Sequence, residues 1–201
     1  KHLYPVPEQM VIDGAFPTVE SPNPENPEGF YLAVDLAKKV GSDLIIGTDP
    51  DADRIGVMVR SGDGYKTITG NQMGVLLLDY IISARKRAGT LPENAGAVKS
   101  IVTTEMAREV CVKNGVHIED TFTGFKFMAE RVAEWEKAGS YKYIFAYEES
   151  YGYMMGDYVR DKDAVTASMM VAEMAAYYYE KGMTLFQAMD SVYEKFGHFS
   201  E

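Results

Sequence analysis

One cysteine, Cys111, stands among 201 residues. A lone thiol cannot close an internal disulfide, so a reducing cytoplasm is the simplest expected location. No apolar run reaches the ~18 residues that a bilayer crossing needs. Residues 1–9 hold no apolar signal-peptide core and the first residue is Lys1 rather than Met, so a piece of a longer chain is expected. Basic residues are in deficit, 20 Lys and Arg against 30 Asp and Glu, for a formal charge of −10. General nucleic-acid binding needs surplus Lys and Arg to displace phosphate counterions, and anionic membranes attract the same surplus. Neither partner is expected. The imbalance is front-loaded: residues 1–60 carry 10 acids and 5 bases, half of the net charge. Internal repeats and low-complexity tracts are also lacking. What is present is 46% hydrophobic and 12% aromatic residues, enough to build a core. At about 100–200 residues per domain, the chain holds one large domain, or a small one with part of another.

Alternating strand and helix patterns follow one another along the chain. Residues 1–29 read as extended, with Pro17, Pro22, Pro24 and Pro27 withholding backbone donors. Asn26-Pro27-Glu28 predicts a helix start, with Asn as N-cap, and Gly41 its stop. Strands are predicted over 43–47, 54–60 and 65–68, with a turn at Ser61-Gly62-Asp63-Gly64. The spacing then predicts helices over 71–88, 105–114, 125–138 and 163–180. Strands are expected over 98–102, 115–119 and 142–147. A last helix opens on the capping box Thr184-Leu185-Phe186-Gln187. This is an α/β pattern, a mixed, mainly parallel sheet layered between helices. In such sheets ligands gather beyond the carboxyl ends of strands, here after Gly47, Val102, Glu119 and Tyr147.

Three of those strand ends carry polar constellations. Thr48-Asp49-Pro50-Asp51-Ala52-Asp53-Arg54 sets three carboxylates at alternate positions in a short loop. Carboxylates so crowded raise one another's pKa unless a cation lies among them, and a hard divalent ion takes oxygen ligands. A solvated acidic turn is the bland alternative. An EF-hand is excluded, because Arg54 and Arg60 stand where that loop needs Gly and Glu. Glu148-Glu149-Ser150-Tyr151-Gly152 ends a strand with two acids and a hydroxyl, suited to the vicinal hydroxyls of a sugar, or else an ordinary polar loop. Thr121-Phe122-Thr123-Gly124-Phe125-Lys126 feeds a helix N-terminus whose free N–H groups suit an anion, or is capped by Thr123. Arg160-Asp161-Lys162-Asp163 precedes another helix, and its plain reading is a cap with a solvated charge run.

Taken in order, T-D-P-D-A-D-R, T-G-F-K, E-E-S-Y-G and R-D-K-D resemble the α-D-phosphohexomutase superfamily, above all its bacterial phosphoglucomutases. The resemblance extends to F-P-T-V-E-S-P-N-P-E at 16–25 and so spans nearly the whole chain. It implies the back part of a second domain over residues 1–60 and a third domain over 61–201. Asp49, Asp51 and Asp53 would bind Mg²⁺, with Arg54 beside them. Glu148 and Ser150 would hold sugar hydroxyls. Thr123 and Gly124 would line the sugar side, Lys162 would reach the substrate, and Lys126 would join them. Glu149 is not expected to be a contact, and Ser150 weighs against phosphopentomutases. The implied reaction interconverts glucose 1-phosphate and glucose 6-phosphate through a phosphoserine and glucose 1,6-bisphosphate. Neither the family's serine loop, roughly T-A-S-H-N-P, nor its fourth-domain phosphate loop occurs in these residues. The implied partners are therefore a phosphosugar and the first and fourth domains, and the chain alone is expected to be inactive. The competing expectations are a module that binds Mg²⁺ or a sugar phosphate and never catalyses, or a phosphomannomutase or phosphopentomutase.

Overall fold

The computed structural model describes residues 3–199. Strands β1 (Leu44–Thr48), β2 (Ile55–Ser61) and β3 (Gly64–Ile68) form an antiparallel meander in that order. The Ser61–Gly64 turn makes the second hairpin. The first is made by the Asp-rich loop, which leaves Thr48 opposite Ile55. A second sheet, in the order β5-β4-β6-β7, is built from β4 (Ala95–Ser100), β5 (His117–Thr121), β6 (Lys142–Glu148) and β7 (Gly152–Met154). Its first three strands are parallel and β7 runs back against β6. The layering is thus α/β with a mixed sheet, and the parallel part lies wholly in the second half. β4 and β5 lie two or three residues from their predicted spans, while β7 was not anticipated. Three residues are too short for a period-2 pattern, and Gly152 by itself reads as a turn.

Six helices cover the sheets: α1 (Tyr31–Val40), α2 (Gly70–Ala88), α3 (Met106–Asn114), α4 (Phe125–Ala138), α5 (Ala164–Glu180) and α6 (Leu185–Phe196). Both α2 and α6 begin with full capping boxes, Thr69 with Gln72 and Thr184 with Gln187. The predicted Asn26 cap is corrected. Asn26 makes no side-chain cap bond, and Pro27–Phe30 is a 3-10 turn that passes directly into α1. α2 is nearly apolar all round because it lies between layers: Met73, Val75, Leu76, Leu77, Leu78 and Ile82 are all buried. Around it one core joins both sheets, from Ile55 and Val57 through Phe145 and Tyr147 to Val171 and Val192. A smaller core under α1 holds Phe30, Ala37, Ile45 and Met58. There the cross-strand pair Gly47 and Gly56 leaves room for the N-terminal segment. A Cβ on Gly56 would come within 2.4 Å of the Pro24 carbonyl oxygen and 2.9 Å of the Phe30 ring. Cys111 is buried in the main core, and burial pushes its thiol up to about 12, which keeps it protonated. Among the described residues no helix is long and apolar enough to cross a membrane.

Candidate active site

The Asp-rich hairpin is organised by Asp49. Its Oδ1 accepts the backbone N–H groups of Asp53 and Arg54, each at 3.0 Å, and its Oδ2 accepts Arg54 Nε at 2.8 Å. Burial pushes this carboxyl up, but the Arg54 and Asp53 donors outweigh it and hold Asp49 below the ordinary range. Asp53 moves the other way. Burial and the neighbouring Asp49 raise it, against the pull of Lys162. Asp49, Asp51 and Asp53 each present an oxygen within 4.8 Å of the others. An acid pushed upward by an acid beside it marks a donor set crowded with negative charge. Hard oxygen donors of that kind fit a divalent cation.

Two cations flank the cluster, where the sequence had pointed to Arg54 alone. Arg54 spans from Asp49 to Glu25, with Nη1 3.0 Å from Glu25 Oε1. Glu25 closes the S-P-N-P-E segment. The motif was visible in the sequence, but its ion pair across 29 positions was not. The second cation is Lys162, with Nζ 2.9 Å from Asp53 Oδ2 and 3.1 Å from Asp161 Oδ1. Burial works against its charge, but Asp53 and Asp161 prevail and raise its pKa, so it stays protonated. Its ammonium also lies 5.1 Å from the centre of the Phe125 ring.

Lys162 belongs to the far side of the junction, where the other motif converges. Arg54 pairs with Gly152 in an isolated antiparallel bridge, and Ile55 N–H donates to the Tyr151 carbonyl at 3.1 Å. The Ala164 N–H donates to the Ala52 carbonyl at 3.0 Å. Both carbonyl-bearing residues are left-handed, Ala52 at φ 53° and Tyr151 at φ 68°. For a residue with a Cβ that geometry costs about 1–3 kcal/mol and persists only where the surroundings enforce it. The Asp-rich hairpin is therefore stitched directly to the Glu148–Gly152 turn. Gly152 is tight enough that a Cβ would meet Lys162 Cδ at 2.5 Å and the Phe125 ring at 2.9 Å.

On that turn, Glu148 is 9% exposed and its Oε1 accepts the Gly124 N–H at the start of α4. Burial raises the Glu148 carboxyl, with Glu149 and Asp161 adding to the rise and the Gly124 N–H and Lys162 opposing it. Ser150 is half-buried, and its hydroxyl has no side-chain partner among the described residues. Glu149 turns away to Ser100 and Thr103. Thr123 is exposed and does not cap α4; the N-cap position belongs to Gly124, at φ 112°. Lys126 is exposed, with Nζ 4.8 Å above the Phe127 ring rather than among the acids. The structure thus gathers Asp49, Asp51, Asp53, Arg54, Lys162, Gly124, Glu148 and Ser150 around one junction, with Thr123 at its rim and Lys126 to the side.

Comparison with known proteins gives the same two blocks. Residues 69–196 match the phosphoglucomutase/phosphomannomutase alpha/beta/alpha domain III, and residues 1–62 match domain II of that family. A mouse phosphopentomutase is 34% identical over 198 residues, covering 96% of this chain and 32% of its own length. A phosphoglucomutase of Staphylococcus saprophyticus is 35% identical over 198 residues, with 96% of this chain and 35% of its own covered. The chain therefore spans about a third of the length of the curated relatives it matches. In fold, it is similar to the crystal structure of a phosphoglucomutase/phosphomannomutase family protein from Burkholderia thailandensis. The TM-score is 0.67 at 20% identity, over 90% of this chain and 35% of the other.

Proposed function

This chain belongs to the phosphoglucomutase/phosphomannomutase family, and from that premise we propose that it supplies the metal loop and the sugar loop of a phosphohexomutase. The observation that carries the reading is the Lys162–Asp53 ion pair, which joins a three-carboxylate cluster to the turn bearing Glu148 and Ser150. Residues 1–60 are assigned to the back part of the second domain and residues 61–201 to the third, an assignment the matched spans support. Asp49, Asp51 and Asp53 would hold Mg²⁺, which when bound withdraws charge from a transferring phosphoryl group. Arg54, fixed by Asp49 and Glu25, and Lys162, kept cationic by Asp53 and Asp161, steady phosphoryl oxygens beside it. Glu148 accepts hydroxyl hydrogen bonds from the sugar. Ser150 both donates and accepts, which suits a substrate bound in two orientations. Thr123 and Gly124 line the same side, while Lys126, exposed over the Phe127 ring, would have to swing in from α4 to meet a substrate.

The proposed substrates are glucose 1-phosphate and glucose 6-phosphate, with glucose 1,6-bisphosphate as intermediate. The phosphoserine would come from a first domain and the distal phosphate site from a fourth, so these residues by themselves would not turn over. The assay is conversion of glucose 1-phosphate primed with the bisphosphate. The complete protein should require Mg²⁺, and the 201-residue chain should give no metal-dependent rate. Full turnover by the complete protein in excess chelator, or a measurable rate from the chain alone, would contradict the reading.

A further inference from the structure

Glu149 stands between the two side chains proposed to hold the sugar, yet its carboxylate faces the opposite way. Glu148 ends β6 and Glu149 opens the turn after it, and the two carboxylates have different partners, the Gly124 N–H for Glu148 and Ser100 with Thr103 for Glu149. Glu149 Oε2 accepts from Ser100 Oγ at 3.2 Å and from Thr103 Oγ1 at 3.1 Å, and its own backbone N–H donates to Thr103 Oγ1 at 3.3 Å. The two hydroxyls are themselves 2.7 Å apart. Both residues are buried, at 0% and 3% exposure, so this is a closed niche at the end of β4 rather than a wet surface.

The niche is rigid from below. Lys99, fully buried, donates from Nζ to the Thr103 carbonyl at 3.0 Å and to Glu105 Oε1 at 2.8 Å, and pairs with Asp120 at 3.2 Å. Behind the turn, the Glu149 carbonyl lies so close to α2 that a Cβ on Gly70 would come within 1.8 Å of its oxygen. A loop gripped on two sides leaves its remaining side chains little freedom. On the open side, Glu148 reaches the Gly124 N–H.

We infer that Glu149 is a positioning residue. By filling the Ser100–Thr103 niche it holds the Glu148 carboxylate at the Gly124 amide and presents Ser150 to the sugar, without touching substrate itself. The role rests on the proposed reading of Glu148 as the sugar-binding carboxylate, so its test has one arm that needs no sugar. In that arm, amide hydrogen exchange is followed at Gly124 in the ligand-free chain, 25 positions from Glu149, where the N–H donates to Glu148 Oε1. Glu149→Ala, and independently Ser100→Ala and Thr103→Val, should speed Gly124 exchange, with Glu149→Ala raising it about tenfold. Glu149→Gln keeps an acceptor oxygen in the niche and should restore near-native exchange. Amides of α6 should be unchanged in every variant, which separates loop release from unfolding.

The second arm is titration with glucose 6-phosphate. Glu149→Ala should weaken binding about tenfold, Thr103→Val should do the same, and the double variant should be no worse than either. Glu149→Gln should bind nearly as the parent does. Failure of the unaltered chain to bind phosphosugar would overturn the reading of the site and leave the exchange arm to decide on the anchor. Native Gly124 exchange in Glu149→Ala would overturn the anchor itself. So would a loss in Glu149→Gln as large as in Glu149→Ala with Thr103→Val unaffected, since that pattern marks direct contact.

Discussion

Among single residues, the three aspartates are not equivalent, although the sequence presents them as a uniform alternation. Asp49 is 5% exposed and holds the hairpin through three hydrogen bonds, so changing it would perturb folding together with any metal. Asp51 is exposed and can be changed cleanly. Asp51→Asn should keep its thermal stability, as surface changes usually stay within about 0.5 kcal/mol. Its Mg²⁺ affinity should fall about tenfold or more by calorimetric titration, because one of three anionic oxygen donors is lost. An unchanged affinity would remove Asp51 from the ligand set. Glu148→Gln should spare Mg²⁺ binding and lower kcat/KM for both glucose phosphates in the complete enzyme. The expected loss is about 10–100-fold, the scale of a hydrogen bond to an ionised acceptor. Ser150→Ala should act in the same direction and more mildly, as a neutral bond is worth about 0.5–1.5 kcal/mol. Loss of metal with intact sugar kinetics in Glu148→Gln would reverse the division of labour between the loops.

The elements meet where the left-handed Ala52 and Tyr151 cross, and β7 makes the crossing possible by returning Gly152 to Arg54. Gly152→Ala would press a methyl against Lys162 and Phe125. The lysine stem can swing away, whereas the Phe125 ring is buried, so the change should cost about 1–3 kcal/mol in urea unfolding and separate Lys162 from Asp53. Native stability together with native metal and sugar affinities would show that the crossing is looser than described. A second element-scale test concerns the end of β4. The hydrogen bond from Lys99 is the largest influence on the Glu105 carboxyl and, with Arg108, holds it below the ordinary range against partial burial. A folded-state pKa below the unfolded value stabilises above the unfolded pKa, and that contribution is lost as pH falls toward the folded one. The stability gap between the parent chain and Glu105→Gln should therefore narrow as pH falls below about 4.5. A gap independent of pH would contradict the pairing. Helices were the most legible elements, because α2 and α6 carry capping boxes and α4 its period in their own residues. The 3-10 entry to α1 and the three-residue β7 are fixed by neighbours distant in sequence, namely Pro24 and Phe30 lying on Gly56, and Arg54 bridging Gly152.

Across the whole molecule, two sheets with different strand directions share one core through α2, and the candidate site lies where their loops meet. The motifs and their order were legible in the sequence, and so was the α/β class. The ion pairs that assemble the motifs were not, since Arg54 to Glu25 and Lys162 to Asp53 link residues 29 and 109 positions apart. No local pattern encodes such pairs. A metal loop and a sugar loop that form one site should respond in turn when the backbone amides of this chain are followed by NMR through successive additions of Mg²⁺ and glucose 6-phosphate. Mg²⁺ should first shift Asp49 to Arg54, with Lys162 responding through Asp53. The sugar phosphate should then shift Gly124 and Glu148 to Ser150. Shifts from Mg²⁺ scattered over other acidic residues, or sugar-phosphate shifts that leave the Glu148 turn unmoved, would contradict the account.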